Sequence, residues 1–223
     1  MDLLYFLGKR LQFIQRLYDS TVSPFEERKR RIEAGEPPYI DSRDPEYAEE
    51  PAFLPEWQES DDSVMVIGQW CLCMVQASLQ AYLRECIGHL GSYWWDVERL
   101  RLELSKKQGK TWLGRYRLLF LDLRIDWEKG PVSLSDLEQL NLTRDDLTHN
   151  IDMTTFSVER VEKHAKRFPS GLFTDELWHG LSIERIKVDT ERLALAIHLV
   201  TNFCAWLDDI RCRYPAYIKT LDG

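Results

Sequence analysis

Along the first helix-like stretch, Leu3, Leu7, Leu11, Ile14 and Tyr18 recur at three- and four-residue spacing, a stripe that predicts an amphipathic helix over about residues 3–18. A second, short and highly charged helix is expected from about Pro24, with Gly35 as its stop. Between Gly35 and Glu59 the periodicity disappears. Five of the nine prolines fall there, with Tyr39, Ile40, Tyr47, Phe53, Leu54 and Trp57 interspersed. Pure linkers lack such aromatics, so this stretch is read as an extended arm that docks on the body or on a second subunit.

Ser60, followed by Asp61 and Asp62, has the chemistry of a helix N-cap, a hydroxyl and early acids facing the free amides. The helix that follows keeps Val64, Ile67, Cys71, Met74, Ser78, Ala81 and Tyr82 on one face to about Cys86, with Gly88 and Gly91 to end it. Residues 93–127 read as two more helical segments broken at Gly109, and Gly130-Pro131 marks a turn. A helix carrying LEQLNLTRDDLTHNI comes next. Residues 167–188 are irregular, with the alternation of 182–188 suggesting a short strand. The last helix, about 189–213, carries Leu193, Ile197, Val200, Cys204, Leu207 and Ile210 on one face. The expected fold class is mainly all-α. It comprises a bundle of five to six helices with a proline-rich N-terminal arm and a short extended or β insert before the last helix. The expected division is 1–59 for the N-terminal helices and acidic arm, and 60–223 for the bundle.

Composition sharpens this picture. At 223 residues and 44% hydrophobic content the chain can bury a sizeable core without a covalent staple. The net charge of −8 is local: residues 20–62 hold 13 acidic and 5 basic residues, and the remainder balances. The run EERKRR is expected to be a solvated face, and nothing advertises a large basic surface. Five cysteines with no CxxC pair read as free, mostly buried thiols in a reducing cytosol. Asp2, Lys9 and Arg10 interrupt the N-terminal apolar pattern, against a secretory signal. The best apolar run, Val64 to Val75, is too short to span a bilayer, so the expectation is a cytoplasmic chain with no membrane partner.

Most motif chemistry is absent. Gly109-Lys110-Thr111 resembles the end of a phosphate loop, but Leu104 stands where the upstream glycine belongs. The histidines 89, 149, 164, 179 and 198 are scattered, without metal-ligand spacing, and no cofactor or metal is expected.

The segment from Arg144 to Asn150 is different. Leu137, Leu140, Leu147 and Ile151 share a helical stripe on which Arg144 also falls, and a guanidinium there needs partners. Asp145 and His149, four apart, share a neighbouring face where a carboxylate can orient an imidazole. The same residues also fit a capping box, Thr143 with Asp146, in which the acids merely start a helix. Two other pairs have similar spacing, Arg84 with His89 and Arg192 with His198. Glu85 and Leu193 follow those arginines, and Gly88 precedes His89.

Arginine, a polar residue, then histidine at Arg144, Asp145 and His149, with Asn150 following, resembles the HEPN superfamily (higher eukaryotes and prokaryotes nucleotide-binding), whose signature is Arg-x4-6-His. The resemblance covers the motif helix and, loosely, residues 60–213. It implies a metal-independent ribonuclease working as a homodimer. His149 would be the general acid/base, Arg144 would neutralise phosphorane charge and Asp145 would position one of them, with Asp146 and Asn150 as secondary candidates. It equally implies a non-catalytic dimer that binds a nucleotide, RNA or a partner protein such as an antitoxin, toxin or nucleotidyltransferase. A third reading is a helical interaction protein whose motif is only a cap.

Overall fold

The computed structural model describes residues 2–43, 50–90, 105–107, 111–149, 158, 160–176 and 184–221. Among them the chain is a helical bundle: α1 (Leu3–Glu33), α2 (Leu54–Leu90), α3 (Trp112–Asp122), a 3-10 turn (Trp127–Lys129), α4 (Leu134–His149), α5 (Glu162–Arg167), β1 (Thr174–Glu176), β2 (Glu184–Ile186) and α6 (Thr190–Leu221). The mainly helical class and the small β insert before the last helix are as the periodicity predicts. β1 and β2 pair antiparallel, with Thr174 opposite Ile186.

The first two expected helices are one. Asp2 caps α1 by accepting a hydrogen bond from the Tyr5 amide (2.9 Å), and the buried stripe runs from Leu3 through Tyr18 to Val22. Pro24 sits inside this helix on its exposed side. Its fixed φ suits a helix, and the one carbonyl that loses its donor can turn to water there. The helix ends as expected at Gly35, whose φ of +61° permits a closing turn: the Glu36 amide donates to the Arg31 carbonyl and the Gly35 amide to Ile32.

α2 begins earlier than the Ser60 cap predicts. Pro55 lies in its first turn, where no amide donor is required, and the Trp57 amide donates to the Phe53 carbonyl at 3.0 Å. Ser60 is a buried interior residue, its hydroxyl donating to the Glu56 carbonyl (2.8 Å). The acids near it are taken by α1: Glu59 pairs with Arg28 (2.8 Å) and Asp61 with Lys29 (2.7 Å). A single helix therefore crosses the boundary expected between residues 59 and 60. The described part of the arm does dock on the body. Trp57 donates to Glu33 (2.8 Å), Lys29 lies over its ring, and Tyr39 packs edge-on against Phe53. Arg30 is held by Glu27 and Glu36, so the basic run is neutralised within the chain.

α1, α2 and α6 pack around one core that extends from Leu3 to Ile210. Phe120, Trp127 and Phe203 form its aromatic centre, with Trp127 and Phe203 edge-to-face at 4.9 Å. The Tyr82 hydroxyl donates to the Cys204 carbonyl (2.9 Å) and ties α2 to α6. Gly68 marks the closest crossing: a Cβ there would stand 1.9 Å from the Val188 carbonyl oxygen, so the chain leaving β2 presses directly on α2. All five cysteines are free, with Cys71, Cys86 and Cys204 buried. α2 and residues 190–214 of α6 are long and apolar enough to cross a membrane by length and composition, which corrects the expectation that no stretch approaches a span. Roughly half of each apolar window is buried in the bundle, as in a core helix. The segment 91–104, the break at Gly109, Asn150 and Ile151 lie outside the described residues.

Candidate functional site

The motif lies in the second half of α4. Ser133 starts this helix, its hydroxyl accepting from the Ser135 amide at 3.2 Å, so Thr143 is ten residues beyond the cap and buried. The capping-box reading of Thr143 and Asp146 is thereby overturned. Leu137, Leu140 and Leu147 are buried as the stripe predicts. Arg144 is not engulfed: its side chain is 35% exposed, and Nη1 donates to Asp145 Oδ1 at 3.0 Å. Neighbouring Cys73 of α2 has its thiol pushed up by burial, opposed by the positive charge of Arg144.

Asp145 thus holds Arg144, and the expected Asp145–His149 pairing is not made. His149 is the exposed last residue of α4, with no carboxylate within ion-pair distance among the described residues. The reason is reach. Adjacent helical positions differ by about 100°, and the long arginine curls across that gap.

Asp146 does something else. Two residues from Arg144, it points to the opposite side of α4. It is buried and accepts from His164 Nδ1 of α5, at 2.9 Å to one oxygen and 3.0 Å to the other. This carboxylate–imidazole pair clamps α5 to α4 and leaves His164 Nε2 for a further partner. Sequence reasoning missed His164, because a separation of 18 residues across two helices has no periodic signature. The available signal was weaker: a polar residue two positions from the Arg144 stripe must be buried against something.

Through residues 139–143, α4 is buried all round. Its polar side chains therefore need partners inside. Gln139 accepts from the Leu172 amide (3.2 Å), and Asn141 accepts from Gln76 of α2 (3.3 Å). Gln76 Oε1 and Asn141 Nδ2 stay unpaired on that seam, on the same side of α4 as Arg144.

The two similar spacings are spent locally. Arg84 pairs with Glu85 (3.1 Å), Arg192 with Asp189 (2.7 Å), and His198 with Asn202 (2.8 Å). Burial, and then the charge of Arg211, lower the His89 pKa. Among the described residues no group of three His, Cys, Asp or Glu side chains is gathered to hold a metal ion. No family model, curated protein or solved structure matches the chain.

Proposed function

We propose that the chain is a metal-independent endoribonuclease that works as a homodimer, with Arg144, Asp145 and His149 as its chemical groups. The observation that carries this reading is the partly exposed Arg144–Asp145 pair, followed little more than a turn later by an exposed histidine at the helix end. An acid next to a phosphate site is unfavourable unless a cation neutralises it, and Arg144 does so at 3.0 Å. Among the described residues the pair engages only Nη1, so Nε and Nη2 remain to grip two phosphate oxygens.

In this reading His149 removes the proton from a ribose 2′-hydroxyl. The 2′-oxygen forms a bond to phosphorus, and the bond to the 5′-oxygen breaks. A protonated imidazole, His149 of this or the second copy, returns a proton to that oxygen. The products are a 2′,3′-cyclic phosphate and a 5′-hydroxyl. Arg144 offsets the charge that builds on the phosphorane.

The alternative is a non-catalytic dimer that binds a nucleotide, or an antitoxin-type or nucleotidyltransferase partner. It is favoured by one feature: no carboxylate among the described residues orients His149. Cleavage of RNA in EDTA by wild type, His149→Ala, Arg144→Ala and a His89→Ala control tests the first reading. Loss in the two motif variants alone, with cyclic-phosphate ends, is the expected result. Activity that survives His149→Ala, or that disappears with chelator, would sink it. Retained nucleotide binding without cleavage would favour the alternative.

A further inference from the structure

The N-terminal half of α1 carries side chains that the bundle does not use. Phe6 is 59% exposed and Phe13 54%, with Tyr5 and Leu17 also outward, while Leu7, Leu11 and Ile14 between them are buried. Across from them on α2, Trp70 is 69% exposed. The two groups belong to one surface. Arg10 donates to Ser78 (2.8 Å) and Lys29 pairs with Asp61 (2.7 Å), which sets α1 and α2 antiparallel. A shallow groove of about 160 Å³ brings Phe6 beside Ala81. Leu17 is eleven residues after Phe6 and Trp70 eleven before Ala81, close to three helical turns in each case. Leu17 and Trp70 therefore lie level on the side that Phe6 and Ala81 share.

Charge chooses the occupant. Lys9, Arg10 and Arg16 are exposed on this half of α1, and none has a carboxylate within ion-pair distance among the described residues. Helical phase places Lys9 and Arg16 on one flank of the Phe6–Phe13 line and Arg10 on the other. The acids of this region are few: Asp2 caps the helix, Asp19 accepts from Gln15, and Glu85 holds Arg84. The chain's excess negative charge lies in residues 20–62, and among its described acids Glu59 and Asp61 are taken by Arg28 and Lys29 at the C-terminal end of α1.

We propose that this face docks on an anionic lipid surface, the aromatic side chains entering the headgroup boundary and Lys9, Arg10 and Arg16 meeting lipid phosphates. An outward row of phenyl, indole and leucyl groups bordered by cations that no described carboxylate neutralises is the pattern that such a surface rewards. An RNA strand would call for a longer track of cations than these three. Association of this kind requires no spanning helix and is independent of the ribonuclease reading. It revises the expectation that the chain has no membrane partner.

Co-sedimentation of the full chain with phosphatidylcholine vesicles, with and without phosphatidylserine, tests the proposal. Binding is expected to the anionic vesicles only, to fall with added salt, and to weaken by about tenfold or more in Lys9→Gln/Arg16→Gln, two surface cations being removed. Phe6→Ser/Phe13→Ser should weaken it comparably, whereas Lys166→Gln, at an exposed cation outside the patch, should bind as wild type. Circular dichroism melts identify any variant that fails to fold, and the charge pair, on the exposed surface, serves as the second probe. No binding to anionic vesicles, or equal binding by the patch variants, overturns the proposal. So does a dimer in sedimentation equilibrium that Phe6→Ser/Phe13→Ser dissolves while vesicles stay unbound, which would assign the face to a second copy. Single-stranded RNA binding lost in the same variants, without vesicle binding, would assign it to RNA instead.

Discussion

The two halves of α1 have similar ingredients, basic residues beside aromatic ones, and opposite fates. At the C-terminal end Arg28, Lys29 and Arg30 each meet an acid, and Trp57, Tyr39 and Phe53 fold over them. At the N-terminal end Lys9, Arg10 and Arg16 meet none among the described residues, and Tyr5, Phe6 and Phe13 face outward. The difference comes from what the chain places opposite each half. The arm returns past the C-terminal half with its acids and rings, while the N-terminal half faces the Ala77–Arg84 stretch of α2, which has no acid to offer. Residue type alone does not decide whether a basic aromatic stretch is sealed or presented.

The largest effect that would sharpen this contrast is in the stripe both halves share. Ile14→Ala should cost about 2–5 kcal/mol in a urea melt, since the side chain is fully buried, while Phe13→Ala next to it should stay within about 0.5 kcal/mol. A costly Phe13→Ala would mean that the presented face is sealed after all. At the sealed end, Trp57→Ala loses the bond to Glu33 and the contact with Lys29, and should cost about 1–2 kcal/mol by the same measurement.

Acid should loosen the sealed end first. Arg30, by hydrogen bond and charge, holds the Glu27 and Glu36 carboxyls below the usual glutamate value of 4.5. A depressed folded-state pKa stabilises above the unfolded value, and that contribution is lost as pH falls through the lowered pKa. Urea midpoints measured downward from neutral pH should therefore fall through this acid window, and less in Arg30→Gln. The smallest effect is on thiols. Burial pushes Cys71 up to about 11 and Cys86 up to about 12, and holds Cys204 well above the usual thiol value. Ellman's reagent should label exposed Cys212 first and Cys73 slowly, reaching the other three only on unfolding.

Much of the fold was legible. The stripe from Leu3 to Tyr18, the glycine stop at Gly35, the strand near 184–186 and the apolar face of α6 all follow from local periodicity and turn chemistry. The errors came where a local signal met a tertiary contact. Ser60 with two acids looks like a cap, yet the α1 cations claim the acids flanking it and the helix extends past it to Leu54. The site was half legible. Arg144 stands out as a charge on an apolar stripe, but Asp145 takes its neighbour Arg144 rather than His149 because the arginine is long enough to curl across, and the pairing of Asp146 with His164 depends on side chains meeting across helices.

Sequence by itself determined the helical character and the local acidity, because each is set by residues a turn or less apart. Tertiary structure alone decided which carboxylate serves which cation, and which aromatic rings stay outside. Those outcomes depend on an antiparallel α1–α2 register and on the crossing at Gly68, where an interhelical fit rather than local propensity sets who stands opposite whom.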